Sequence, residues 1–338
     1  MGCREAALKL TIFLSPVAAV LLSVLLGRYP LSPHDVYESI VAALTPTLVH
    51  SPSRVAEMIV VYYRLPRILT AGVVGVALSV SGASLQAMFR NPLVSPYILG
   101  ISAGAGFGAA LAIAFMPPNF PVEVSAFAFG VLAFAMTLTI ARTGSGEIPI
   151  ISLILSGIIV TALFTAALSL VKFVAPNPHK LAAIVFWLMG SFADSGWGEL
   201  SRLTPLVLAS TAVLVAMRWR FNVLSLSDEE VKALGINPVR DRLIALSACA
   251  LATSSSVAVA GIIGWAGLMI PHIVRLALGP DNRVVIPCSA VLGATYMVLA
   301  DDVARCLTPE EIPIGIITTL LGVPLFAYLL RRASRVWR

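Results

Sequence analysis

An all-α integral membrane protein with about ten transmembrane helices is the fold class this sequence predicts, on three observations. The 338 residues are 58% hydrophobic and 12% charged, with a mean hydropathy of +0.93, whereas a soluble domain is about a quarter charged. The charges cluster and leave long uncharged windows, as in a polytopic membrane chain. One such window, Ile68–Phe89, is long enough to cross a bilayer and is framed by Arg64-Leu65-Pro66-Arg67 before it and Arg90-Asn91-Pro92-Leu93 after it.

The net charge of +6 does not indicate nucleic acid. Only Lys9, Lys172, Lys180 and Lys232 are lysines among the 23 basic residues, and the basic residues form no stripe with interleaved aromatics. Cys3, Cys249, Cys288 and Cys306 show no metal-ligand spacing and read as small apolar packing residues. The run Leu10–Leu26 is followed by Gly27-Arg28-Tyr29-Pro30, a poor cleavage site, and reads as a retained first helix.

Charges bound the apolar segments and place helices near 7–27, 63–89, 96–116, 123–142, 148–171, 201–217, 243–263, 265–278, 287–304 and 312–330. The sixth is short. The eighth carries Pro271, His272 and Arg275, and such broken segments survive only where other protein covers them. With the N-terminus inside, alternation puts fifteen basic residues in the cytoplasm, including Arg90, Arg142, Arg218, Arg220, Arg240, Arg242 and the tail Arg331–Arg338, against eight outside. The positive-inside rule therefore favours cytoplasmic N- and C-termini. Arg64, Arg67 and Arg305 stand outside, against that bias. Gly72, Gly75, Ser79 and Gly82, then Gly100, Gly104 and Gly108, recur every three or four residues and mark faces for close helix packing.

Two loops carry structure. In the external segment Tyr29–Tyr62, Ser32-Pro33-His34-Asp35 reads as a capped helix start. In external Pro176–Gly198, the apolar patch Ala182–Met189 is too short to span and reads as a re-entrant or surface helix. The longest cytoplasmic loop, 218–242, holds the capping box Ser227-x-x-Glu230 and the C-terminal stop Gly235. Asn237-Pro238 then opens a second short turn. A loop this ordered reads as a docking element for a soluble partner. Gly82 and Gly267 each lie eight residues before an arginine, Arg90 and Arg275, a weak internal echo of the kind transporters carry.

No G-x-x-x-x-G-K-[ST] occurs, nor any Gly-Lys pair, so the chain carries no phosphate-binding loop of that type. No carboxylate sits at mid-span, which counts against an ion-coupled secondary transporter. Asp301-Asp302 invites comparison with a lipid-embedded enzyme using paired acids. Arg305, one turn on, makes an ion-paired helix end the better reading.

The segments RLPR (Arg64–Arg67), SGASLQAMFRNPLVSPYILGISAGA (Ser81–Ala105), GIIGWAGLMIPHIVRLALGPDNR (Gly261–Arg283), DDVAR (Asp301–Arg305) and EIPIGIITTLLGVPLFAYLL (Glu311–Leu330) stand in this order. Together they resemble the FecCD-type permease subunits of bacterial and archaeal ABC importers for iron–siderophore, haem and cobalamin. The likeness runs from the second helix onward. Trp265 departs from the family's commoner Phe-Val step and reads as a conservative change.

The resemblance implies a type II ABC importer permease fold: one transmembrane permease domain over 1–338, with 218–242 as its cytoplasmic coupling loop. It also implies a homodimer in the cell (inner, cytoplasmic) membrane, with the translocation path at its axis. Two ATP-binding cassette subunits would dock on the cytoplasmic side, carrying ATP and magnesium, and a substrate-binding protein outside. The chain itself then holds no cofactor or metal and is no enzyme. By the same resemblance, Arg64, Arg67 and Arg305 meet acidic residues of the binding protein. Ser227, Asp228, Glu229, Glu230 and Gly235 couple to the ATPase, and Asn91 and Leu93 lie at the cytoplasmic gate. The fifth and last helices line the path. The implied cargo is a metal chelate, with an oxyanion such as molybdate as the alternative.

Overall fold

The computed structural model describes residues 2–45, 53–142 and 148–336. Arg338 of the basic tail and residues 46–52 of the Tyr29–Tyr62 segment lie outside the described residues. Those described form α-helices and no strand: α1 (Gly2–Leu25), α2 (Pro33–Leu44), α3 (Arg54–Glu57), α4 (Leu65–Phe89), α5 (Ile101–Phe115), α6 (Val122–Ala141), α7 (Ile150–Phe173), α8 (Pro178–Leu188), α9 (Trp197–Ala216), α10 (Arg218–Leu224), α11 (Asp228–Ala233), α12 (Pro238–Ala260), α13 (Ala266–Leu278), α14 (Asn282–Cys306) and α15 (Ile314–Val336). Seven helical stretches are long and apolar enough to cross a membrane, and α5, α13 and Ile314–Leu329 are shorter apolar helices. These ten stand where the ten predicted segments stand.

Several boundaries differ for physical reasons. A π-helical stretch, Met58–Arg64, joins α3 to α4, so the second span runs continuously over Arg54–Phe89. Its predicted start at 63 treats charge as a boundary, whereas Arg64 is buried. The predicted helix 96–116 is split: Pro96–Leu99 is 3-10 and Gly100 turns left-handed at φ +77° before α5 begins. Asn237-Pro238 opens the 23-residue α12 rather than a short turn, with the Asn237 side chain accepting from Arg240 N–H. Asp241 and Arg242, which bound the predicted helix, fall within it because both are ion-paired. The patch 182–189 forms the C-terminal half of α8 with Met189 as its C-cap, and Ile184 is buried.

The bundle is built around α4, which is 78% buried over its apolar window against 22% for α1 and 28% for α7. Lipid tails are as apolar as leucine, so close backbone approach has to hold such a helix in place. Its small-residue face provides it. A methyl on Gly75 would collide with the Gly293 carbonyl of α14, and one on Gly82 with the Gly267 carbonyl of α13. The two echo glycines, Gly82 and Gly267, thus meet each other. Gly104 and Gly108 likewise seat α5 on the carbonyls of Phe129 and Ser125 in α6.

The ends of the bundle differ in chemistry. At the clasp end, the close of α1, the start of the second span and the close of α14 converge, with Arg28 on the Arg305 carbonyl at 3.0 Å. At the basic end, α10 meets the start of α14 through Asn222 Nδ2 donating to Asp281 at 2.7 Å and Asn222 Oδ1 accepting from Asn282 N–H at 2.9 Å.

Candidate functional site

Three features of the second span and its surroundings carry candidate function: a clasp of arginines and carboxylates at one end, a turn and groove at the other, and the loop that packs beside that turn.

At the clasp end every predicted arginine is present, and each is turned inward. Arg64 is 5% exposed and donates to the carbonyls of Val24 (2.8 Å), Leu25 (3.4 Å) and Tyr29 (2.6 Å). Val24 and Leu25 close α1, so the guanidinium satisfies carbonyls with no helical partner and places positive charge at a helix C-terminus. Arg67 grips Asp301 through Nε and Nη2, both at 2.8 Å, and Glu311 through Nη1 at 2.9 and 3.0 Å. Arg305 bonds Asp302 at 2.5 Å and the carbonyl and hydroxyl of Ser23 at 2.7 and 2.8 Å. These contacts turn the guanidiniums onto the chain's own groups. A buried unpaired charge is costly, so the chain's own carboxylates and carbonyls take these groups. Asp301 and Asp302 are 1% and 5% exposed, and arginines hold them as an ion-paired helix end. Among the described residues no cluster of His, Cys, Asp or Glu is arranged to hold a metal.

At the basic end Arg90 closes α4 in the left-handed region, φ 50°, and Asn91 N–H returns to the Gln86 carbonyl at 3.2 Å, a Schellman closure. Asn91 Oδ1 accepts from Leu93 N–H at 2.9 Å, which fixes the turn. Leu93 projects, 54% exposed, into a groove of about 760 Å³ along α7, lined also by Tyr97, Ile98, Ile158, Thr161, Thr165 and Ser169. Among the described residues, the groove wall carries hydroxyls and apolar groups and no charged side chain.

The loop is built from local signals. Ser227 Oγ accepts from Glu230 N–H at 3.3 Å and Glu230 accepts in return from Ser227 N–H at 2.8 Å, the predicted capping box. Gly235 ends α11 at φ +75°, and Ile236 N–H reaches back to the Val231 carbonyl at 3.2 Å. Val231 is fully buried and Glu229 exposed. Arg242 holds Asp228 at 2.6 and 2.9 Å, tying the loop helix to α12, while Arg220 holds Asp241 at 2.7 Å. The Arg242 guanidinium keeps Asp228 below the usual carboxylate range, and bonds to Ser227 do the same for Glu230.

Sequence reasoning missed some of this. Arg242, Arg220 and Asn222 reach their partners across turns that no helical spacing reveals. Trp265 sits at φ 69°, ψ −35° before α13, a positive-φ conformation unusual for a non-glycine residue. Its ring packs edge-on to Phe326 of α15 at 6.1 Å, and the Trp265 side chain fills the place a methyl on Gly322 would need. The preceding Gly264 was the available signal for an irregular backbone.

A polytopic helical bundle with a charged clasp and an ordered, capped loop is the architecture of a multi-pass membrane protein, and the comparisons with known proteins make it the permease component of an ABC importer. The chain belongs to the FecCD transport family, whose model matches residues 14–332. It is 41% identical over 323 residues to a molybdate import system permease protein, MolB, of Haemophilus influenzae, covering 94% of both chains. It is 41% identical over 277 residues to a cobalamin import system permease protein, BtuC, of Halobacterium salinarum, covering 82% of this chain and 74% of that one. It also superposes with a TM-score of 0.86 on a solved structure of a putative metal-chelate type ABC transporter in an inward-facing conformation, at 37% identity and covering 97% and 99% of the two chains.

Proposed function

We propose that this permease moves a metal chelate across the cytoplasmic membrane by alternating access. It works as one half of a homodimer, with hydrolysis carried by separate ATPase subunits seated on 218–242. The observation that carries the reading is the loop itself. Its capping box, its glycine stop and the Arg242–Asp228 pair make it a preformed lever joined rigidly to α12, which packs on α4. Orientation with both termini in the cytoplasm follows from the charge bias and puts this loop on the ATPase side. Ser227, Asp228, Glu229, Glu230 and Gly235 are its coupling residues, and Leu93, positioned by Asn91, is the gate at the mouth of the α7 groove.

The clasp end is the proposed seat of the substrate-binding protein. Arg67 is the residue best placed to meet it, since one of its acids, Glu311, has a 30% exposed side chain and a partner's carboxylate can share the guanidinium fork. Arg64 and Arg305 act through the loops they hold in place. Charge reversal at Arg67 should weaken binding-protein docking, measured by surface-immobilised titration, with the ATPase still attached. Docking of unchanged affinity would defeat the assignment.

The uncharged groove leaves selection to the binding protein, so the cargo follows from that partner. Molybdate is the second reading, favoured by the relative that covers 94% of both chains. Ligand identification on the binding protein decides between them. A bound ferric or cobalt chelate supports the first, and a bound tetrahedral oxyanion the second.

A further inference from the structure

Between α9 and α12 a groove of about 440 Å³ opens along the side of the bundle. Leu206, Val213, Ile244 and Leu251 wall it with exposed aliphatic side chains, with the small Ser210 and Ser247 between them. Among the described residues, no charged side chain lines it. Both helices are long and apolar enough to cross a membrane, so the groove faces lipid tails rather than water. Its α12 wall runs from Leu243 to Leu251, roughly 12 Å of helix, close to the ~15 Å depth of one leaflet's hydrocarbon.

The groove runs toward the basic end of the bundle, into cations that the chain does not neutralise. Arg240 precedes Leu243 and Ile244 by three and four residues, so it continues the groove face of α12 by one turn. It is exposed, and among the described residues its side chain has no carboxylate partner; nor has that of exposed Arg218. Arg220 takes both oxygens of Asp241 through Nη1 alone, at 2.7 Å, which leaves Nη2 and Nε uncommitted. That contact brings the first turn of α10, with Arg218 and Trp219, to the first turn of α12. Trp219 is 54% exposed, and an exposed tryptophan at the end of a span belongs at the level of lipid headgroups. At the clasp end, by contrast, Arg64, Arg67 and Arg305 are all spent on the chain's own groups. Arg218, Arg220 and Arg240 against Asp241 alone leave this rim positive.

We propose that the α9–α12 groove binds an anionic phospholipid, its acyl chain against the aliphatic wall and its phosphate between Arg240 and the arginines of α10. An apolar slot of leaflet depth that ends in unneutralised guanidiniums matches a lipid with a negative headgroup and no zwitterionic one. Bound there, the lipid braces α9 against α12 at the root of the 218–242 loop. Its leaflet rests on the orientation proposed above, whereas the binding claim needs only the groove and its basic rim.

The test uses the full chain in phosphatidylcholine nanodiscs doped with a trace of phosphatidylglycerol or phosphatidylcholine, each carrying the same photoactivatable acyl chain. Adducts are mapped by peptide mass spectrometry. The phosphatidylglycerol probe should label the peptides covering 206–213 and 243–251 well above the phosphatidylcholine probe, with the two probes equal on α7. An arginine near an anionic headgroup accounts for about fivefold in binding, so Arg240→Gln should lower the phosphatidylglycerol labelling about fivefold, and Arg218→Gln added to it should bring it down to the phosphatidylcholine level. Ser247→Leu, which fills the slot and leaves the charges in place, should lower it as well. Equal labelling of the groove by the two probes means ordinary boundary lipid and overturns the proposal. So does labelling by neither, or its loss once the ATPase is bound, since protein then covers the groove. Undiminished labelling in a monodisperse Arg240→Gln chain overturns it too. Failure of ATP-driven uptake would leave this labelling unchanged, so the two readings fail separately.

Discussion

Asp302 and Arg305 set the scale of what one residue does here. Both are buried, 2.5 Å apart, and share Ser23. Removing one partner strands the other's charge, so Asp302→Ala should cost about 3–5 kcal/mol of stability. The double change Asp302→Leu with Arg305→Met should cost far less, because it removes both charges together. Thermal unfolding of the two variants in detergent measures the difference, and equal losses would contradict an ion pair in this role. Glycines on one face of α4 give a second contrast. Gly82→Ala drives a methyl into the Gly267 carbonyl, whereas Gly72→Ala meets only Val298 at 3.9 Å. The first should abolish folded yield and the second leave it unaltered, as judged by size-exclusion chromatography. At Gly235 an added methyl would meet nothing within 4 Å, and only the backbone angle objects. Gly235→Ala should therefore cost about 1 kcal/mol, and any larger loss of uptake reports on coupling rather than folding.

At the scale of elements, the loop helix makes a pH prediction. Asp228 and Glu230 are held below their ordinary values of 3.8 and 4.5 by Arg242 and Ser227. A carboxylate depressed on folding stabilises fully above its unfolded pKa and loses that contribution as pH falls through its folded pKa. Amide protection over 228–234 should hold steady down to about pH 5 and fall only below about pH 4. Loosening between pH 6 and 7 would contradict these pairs. Elements are also where the sequence is most and least legible. The capping box, Gly235, the Ser32 cap and the glycines Gly75, Gly82, Gly104 and Gly108 are short-range signals, and each stands where the sequence places it, whereas Gly100 turns left-handed before α5 instead of joining the helix face. The boundaries fail where charge is treated as the end of a span. Asp241 and Arg242 lie inside α12 because ion-pair partners outside it neutralise them, and Arg64 lies inside the second span because the carbonyls of Val24, Leu25 and Tyr29 accept its guanidinium hydrogen bonds. No local pattern encodes that Arg64 caps α1 across forty residues, or that Trp265 takes a positive-φ turn. Of the candidate site, residue identities are legible, while the inward aim of the arginines depends on tertiary partners.

Across the whole molecule, the second span is the structural link between the ends. Its start bears the arginine clasp, its middle is locked to α13 and α14 by glycines, and its close sets Leu93 at the groove. The loop 218–242 reaches the same span through α12. On the proposed reading, this permease moves cargo only when a separate ATPase drives that loop. The most direct measurement is substrate accumulation in proteoliposomes holding this chain, with and without its ATPase and binding protein. The account predicts accumulation that requires both partners and ATP, and that falls at least about tenfold in a Glu230→Ala chain whose ATPase still turns over, since the capping box that fixes the lever is then lost. Accumulation by the chain alone, driven by an ion gradient, would contradict it.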